Sequence, residues 1–429
     1  MRVPRQSPDR MTARPDIVLL TVDCWRHDAV TRMHELRDVA ADSLDRTEAV
    51  CQSAATPGVF PAILGSEYYA SAYDDDDTLA DDLQTLPGLL SEAGYETGAI
   101  VANNPFLERF RDEFDTFWNG GSGEDDYRRA YAYLKRQFRR RVRYRSTVPA
   151  PTVRDRATDW FHSTDGPRFL MMHLMDPHEP YYPGFRRWLQ VGPRRARRAL
   201  AQFQADRLSM TQGQRATAEE LYWQCVDFVD AHVRSLLSFV PDDALVVVTG
   251  DHGEEFEHGA YRHARLYDEC VRVPLFVRNL PDVARTDRVR QLDLVPSIVD
   301  RLGLDVPEAW QGSPCDGTAR ESFMLNHSPH RDESYLGVRT DRYKYVETVD
   351  AATGSRTRTE LYDLATDPRE RRNLAGTDRA DTPESELAAA VASFREEHDI
   401  DAGLVRGTRA GSDDDSGPPE EQLEALGYV

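Results

Sequence analysis

Lysine is nearly missing from this 429-residue chain: Lys135 and Lys344 are the only two, so 51 of its 53 basic residues are arginine. Set against 74 acidic residues, they leave a formal net charge of −21. That surplus repels nucleic-acid phosphates, so a role in binding DNA or RNA is not expected. Acidity combined with arginine in place of lysine points to a halophilic, GC-rich background. Cysteine is scarce as well. Cys24, Cys51, Cys225, Cys270 and Cys315 are scattered, odd in number and form no Cys-x-x-Cys pair, which argues against both a disulfide framework and a zinc ribbon. No apolar run approaches the roughly eighteen residues of a membrane-spanning helix. The first fifteen residues are polar, rich in Arg and Pro, and lack the apolar centre of a secretion signal. The expectation is a soluble, cytoplasmic protein without internal repeats.

Short apolar runs followed by polar clusters dominate what is present. Asp16–Val22, Thr97–Ala102, Arg168–Met175, Leu245–Gly250 and Arg272–Val277 read as interior strands. Helical spacing is read over Leu79–Ala93, Thr217–Phe239 and Gln291–Leu302, and a short helix is placed near Gly58 or Val59 with Thr56 just before it and Pro61 in its first turn. Strands alternating with helices predict an α/β fold around a mostly parallel sheet. After about residue 330, Tyr335–Arg339 and Tyr343–Val346 alternate Tyr and Val with charge, predicting a small antiparallel sheet, and an amphipathic helix follows Thr382-Pro383. The organisation expected is a flexible segment over 1–15, a main α/β domain over 16–330 with a basic helical insertion at about 120–210, a small sheet plus helix over 331–406, and an acidic linker with a terminal helix over 407–429. Two arginine-rich stretches, Tyr127–Arg145 and Arg186–Arg198, are solvated faces or a surface for peripheral contact with anionic membranes or substrates.

Chemistry is expected where strands end. The first strand delivers Asp23, and Leu245–Gly250 runs into Asp251 and His252, with His258 and His263 following. Carboxylate oxygen with imidazole nitrogen suits a divalent cation. Thr56 supplies a hydroxyl at a helix start, where unbonded N–H groups would face an anion. A metal would lower the pKa of that hydroxyl, so covalent catalysis on a sulfate or phosphate ester is coherent.

These motifs, in this order, resemble the sulfatase family of the alkaline phosphatase superfamily. The resemblance covers about residues 15–375 and rests on Ile17–Asp23, Thr56–Ser66, Asp176-Pro177-His178-Glu179-Pro180-Tyr181, Asp251-His252-Gly253-Glu254, Arg265–Glu269, Val338–Tyr345 and Leu361–Leu364. It implies a three-layer α/β/α fold with a smaller C-terminal antiparallel sheet. It implies one divalent metal (Mn, Zn, Ca or Mg) held by Asp23, Thr56, Asp251 and His252, with Thr56 as nucleophile. His178 and His263 would bind the transferred group or protonate the leaving oxygen, and Asn104 would help bind it. His263 is also placed to complete a second metal site with Asp176 or His178. Substrates would be small-molecule, glycan or lipid-linked esters. Three departures stand out: Cys51-Gln52-Ser53-Ala54-Ala55 lacks the Pro and Arg of the formylglycine motif, Asp23-Cys24 replaces an Asp pair, and Ala102-Asn103-Asn104 replaces Lys-Trp-His. Threonine therefore favours phosphate chemistry, phosphodiesters included. In an alternative register Val59 takes the nucleophile position, and the chain becomes a catalytically silent binder of anionic glycans or lipids.

Overall fold

A computed structural model describes residues 14–74, 78–120, 148–259, 262–328, 333–377, 382–398 and 400. Strand β1 (Ile17–Val22) lies at the centre and is buried along its whole length, as six successive apolar or β-branched residues require of a strand covered on both faces. Around it run β2 (Asp45–Val50), β3 (Glu96–Val101), β4 (Thr116–Asn119), β5 (Arg168–Leu174), β6 (Leu245–Gly250), β7 (Arg272–Arg278) and β8 (Val289–Arg290), in the order β4-β3-β5-β1-β6-β7-β2-β8. All neighbours are parallel except those of β7, which runs against β6 and β2.

Alternation along β1 divides the core. Val18, Leu20 and Val22 pack on one side with the helices Ala150–Ser163, Pro193–Asp206 and Gln212–Leu237; Ile17 and Leu19 pack on the other with Thr56–Gly65, Leu86–Glu92 and Leu294–Leu302. This is the expected three-layer arrangement. The smaller sheet is antiparallel, β12-β11-β10-β9, made of β9 (Ser322–Ser328), β10 (Glu333–Arg339), β11 (Tyr343–Asp350) and β12 (Arg356–Asp363). It packs on the helix Glu384–Glu397 through Leu387, Val391 and Phe394. The small sheet thus opens at Ser322, ahead of the boundary expected after 330.

Several local readings are corrected. Helix does not run over Leu79–Ala93 but over Leu86–Glu92, where Thr85 accepts a hydrogen bond from Gly88 N and stops the helix extending backwards. The long helix begins at Gln212, not Thr217, because Thr211 and Gln214 form a reciprocal capping pair. Gly192, at φ 95, splits the Arg186–Arg198 stretch into two helices, Phe185–Val191 and Pro193–Asp206. The basic segment Tyr127–Arg145, the linker and terminal segment over 407–429, and nearly all of 1–15 lie outside the described residues. Among the described residues no helix is long and apolar enough to cross a membrane.

Candidate active site

Strand register assembles the site. Val22 pairs with Gly250 on one side and with Leu174 on the other, so the next residues, Asp23 and Asp251, leave adjacent strands together at the carboxyl edge of the sheet. Ligands bind beyond that edge in open α/β sheets. Asp23, Asp251 and His252 are all fully buried.

Thr56 comes from the other layer. Its helix starts at Thr56 itself, with Ala55 as the extended N-cap, so the residue does not precede the helix as expected. Pro57, not Pro61, occupies the first turn, and Pro61 lies inside the helix. A proline there removes one intrahelical bond. The orphaned Pro57 carbonyl accepts instead from the Tyr73 hydroxyl at 2.8 Å. Freed from capping, Thr56 Oγ1 lies 3.1 Å from Asp251 Oδ2, 3.5 Å from Asp23 Oδ2 and 3.4 Å from His252 Nε2. The row of unbonded amides expected at this helix start is curtailed: Pro57 has no N–H, and those of Gly58 and Val59 bond to Ala55 O. Val59 points into the apolar core with Ile17 and Leu19.

The charges are arranged around one centre. His252 Nδ1 bonds to Gly253 O at 2.9 Å, which turns Nε2 toward both carboxylates. Burial alone would raise the Asp23 pKa, but His178, His173 and His252 bring it well below the usual carboxylate range. Burial and the Asp23 charge push Asp251 up. Burial would lower His252, but Asp251 and Asp23 raise it. Asp23 Oδ1 is buried and has no hydrogen-bond partner. A divalent ion between Asp23, Asp251 and His252, with the Thr56 hydroxyl beside it, would offset the buried carboxylate charge and fits this donor set. The ligand atoms of Asp23, His173 and Asp251 all lie within 4.8 Å of one another.

Asn104 is brought to the site but committed. Its Oδ1 accepts from Phe106 N at 3.0 Å, and its Nδ2 lies 3.4 Å from Asp23 Oδ2 and 3.2 Å from His173 Nε2. His178 is buried on the loop after β5, and its Nδ1 bonds to Glu179 O at 2.6 Å. His263 lies with its ring centroid 4.3 Å from that of His252 and 5.6 Å from that of His178. Burial first, then the charges of His252, Arg262 and His178, hold its pKa well below the usual imidazole value. His258 is not part of the site: it pairs with Glu269 and stacks on Tyr267. Asp176 is spent on Ala150 N at 2.9 Å. Cys51 donates its thiol to Asp251 O.

Sequence reasoning missed His173, which bonds Thr21 Oγ1 at 2.8 Å through Nδ1 and stands 3.5 Å from Asp23 Oδ2 through Nε2. Its only signal was a polar residue inside an apolar strand. Glu254 was quoted within a motif but given no role; its Oε2 accepts from Tyr181 at 3.0 Å, and its Oε1 is buried with no hydrogen-bond partner.

A mostly parallel sheet with paired aspartates, a histidine and a hydroxyl at its carboxyl edge has the alkaline-phosphatase-like architecture. Within that class the chain belongs to the sulfatase family: the family's profile, described as Sulfatase, matches residues 26–304. A second profile, N-sulphoglucosamine sulphohydrolase, C-terminal, matches residues 256–397. The chain is 26% identical over 180 residues to an N-acetylglucosamine-6-O-sulfatase of Bacteroides thetaiotaomicron, covering 36% of this chain and 31% of the relative. It is 22% identical over 259 residues to a choline-sulfatase of Rhizobium meliloti, covering 52% and 49%. The match to the first of these spans about a third of the relative's length. In fold it is similar to a protein solved with its substrate D-glucosamine-2-N,6-O-disulfate (TM-score 0.69, 17% identity, 91% of this chain and 99% of that one). It is also similar to the phosphonate monoester hydrolase of Agrobacterium radiobacter (TM-score 0.65, 18% identity, 90% and 96%).

Proposed function

We propose that the protein is a metal-dependent hydrolase or transferase of sulfate or phosphate esters in which Thr56 is the nucleophile. The observation that supports this reading is the Thr56 hydroxyl within 3.5 Å of Asp23, Asp251 and His252. A divalent ion held by Asp23, Asp251 and His252 would supply the positive charge that lowers the hydroxyl pKa and offsets charge on the transferring group. Thr56 Oγ1 attacks sulfur or phosphorus; the ester bond to the leaving alcohol breaks as the bond to Oγ1 forms. His178 contacts the leaving oxygen. Water, or an acceptor alcohol in a transferase, then releases the group from Thr56. The names of the sulfatase relatives make sugar sulfates and choline sulfate first candidates, and the phosphonate hydrolase neighbour and the threonine favour phosphate mono- and diesters.

Turnover of p-nitrophenyl sulfate, p-nitrophenyl phosphate and its diester, with metal supplied, tests this. Thr56→Ala is expected to lose at least about a hundredfold in kcat, as removal of an attacking group does, and mass spectrometry of wild type quenched during turnover should find the added group on the peptide containing Thr56. Equal, negligible turnover by wild type and Thr56→Ala would instead support the silent binder. Turnover of the sulfate ester alone would remove the preference for phosphate.

A further inference from the structure

Over residues 185–205 the chain carries six arginines and no aspartate or glutamate, although 74 of its 429 residues are acidic. The stretch forms the helices Phe185–Val191 and Pro193–Asp206. Their inner residues seat them on the loop that carries His178: Trp188 packs on Tyr182 and Phe203 on Tyr181, with ring centroids 5.5 and 5.6 Å apart. The solvent-facing residues mix positive charge with apolar surface. Arg195 pairs with Glu220 at 3.0 Å, whereas the exposed Arg186, Arg194, Arg197 and Arg198 have no ion-pair partner among the described residues. Arg194 and Arg195 stand in the first turn of their helix, where the helix dipole disfavours a cation. Among the described residues the exposed large apolar side chains are Phe185 (66%), Leu189 (50%) and Leu208 (60%), all in or just beyond these two helices. Phe185 and Leu189 are four residues apart and Arg186 and Leu189 three, so the three side chains are neighbours on one helix surface.

We propose that this helix pair is a docking surface for a membrane bearing anionic lipid headgroups. Guanidinium groups bind phosphate oxygens through paired hydrogen bonds. An anion beside Arg194 and Arg195 also faces the positive end of their helix, so an arrangement that costs stability in water becomes favourable at a phosphate layer. Phe185 and Leu189 gain by leaving water for the acyl boundary, which a hydrated polyanion such as a sulfated polysaccharide does not offer. That apolar pair is what favours a membrane over a soluble partner. The net charge of −21 does not prevent contact, because at physiological ionic strength exposed charges farther away than about 8 Å are largely screened. Docking brings the loop of His178 to the lipid layer, which makes lipid-linked esters the substrate class of the site. That last step rests on the proposed function; the docking itself does not.

Flotation of the full-length protein with vesicles, read as bound fraction against lipid concentration, tests it. Wild type is expected to float with mixed phosphatidylglycerol–phosphatidylcholine vesicles, to stay behind with phosphatidylcholine alone, and to be released as salt is raised. The variant Arg194→Glu/Arg197→Glu/Arg198→Glu should bind more than about a hundredfold less tightly, and Phe185→Ser/Leu189→Ser about tenfold less tightly. If circular dichroism shows the glutamate variant unfolded, the same three changes to glutamine decide. No flotation of wild type, equal flotation with phosphatidylcholine alone, or full vesicle binding by the arginine variant overturns the surface. Wild-type affinity in Phe185→Ser/Leu189→Ser overturns the apolar contact and with it the preference for a membrane. Arginine-dependent retention on a sulfated polysaccharide without vesicle binding overturns the membrane in favour of a soluble polyanion. None of these outcomes bears on Thr56, whose test is turnover.

Discussion

At the scale of single residues, the carboxylates of the candidate site are oriented by buried neighbours. His173 shows this most clearly. It bridges Thr21 in β1 and Asn104 in the loop after β3, and both Asn104 Nδ2 and His173 Nε2 approach Asp23 Oδ2. Such partners fix the orientation of a ligating carboxylate, and losing one typically weakens metal binding by about 10- to 100-fold. His173→Ala is therefore expected to weaken manganese or zinc binding by about that factor, measured by calorimetric titration of the folded variant. Unchanged affinity would show that Asn104 alone orients Asp23. Asp23, Asp251 and His252 were legible in sequence because strand ends announce themselves by hydropathy. His173 was not, because its meaning comes from the Thr21–His173 register, which no local pattern encodes.

At the scale of elements, the loop after β6 carries Asp251, His252 and Glu254 without regular structure of its own, so something must hold it. Glu269 does this. Its Oε2 accepts from Phe256 N and Glu257 N and pairs with Arg26 at 2.7 Å, while its Oε1 pairs with His258 Nδ1 at 2.6 Å. Gly253 makes the approach feasible, since a Cβ there would lie 2.0 Å from Glu269 O. His258 Nε2 faces Arg369 O at 2.9 Å, so both ring nitrogens face acceptors and the imidazolium is the form that satisfies them. Burial would lower the His258 pKa, but the Glu269 bond and charge raise it above 6.5. A raised histidine stabilises fully below its unfolded value and loses that contribution as pH rises through the folded one. Burial would raise Glu269, but the His258 bond, Arg26 and the loop amides lower it below 4.5, so its contribution is lost only as pH falls through that lower folded value. Wild type should therefore exceed His258→Gln in unfolding free energy by about 1.5–3 kcal/mol near pH 5–6. The gap should shrink as pH rises through the raised folded value of His258. Urea unfolding at a series of pH values checks this, and a gap that widens with pH would contradict the pairing.

At the scale of the whole molecule, the parallel sheet, its order of chemistry-bearing ends and the later antiparallel sheet were readable from runs of apolar residues and from alternation. The junction between the two sheets was not, because it depends on one residue that composition alone makes conspicuous. Lys344, in β11, is fully buried in a chain that otherwise uses arginine. Its ammonium donates to Leu266 O at 2.8 Å and forms ion pairs at 2.6 Å with both Asp268 Oδ1 and Glu370 Oε1, while Arg339 of β10 grips Asp268 with two nitrogens. A compact ammonium can meet three acceptors that converge from different directions, which a planar guanidinium cannot, so this position keeps lysine. The knot joins the small sheet to the stretch Leu266–Asp268, next to the Glu269 that holds the loop of Asp251 and His252. Removing one partner of a buried ion pair costs about 3–5 kcal/mol because the other charge is stranded. Lys344→Met should lose about that much stability in urea unfolding, and Lys344→Arg should fail to restore it. If the small sheet braces the site through this knot, the Met variant should also bind added divalent metal more weakly under conditions where it is still folded. Full stability in Lys344→Arg would mean that charge alone, rather than the shape of the ammonium, holds the two sheets together.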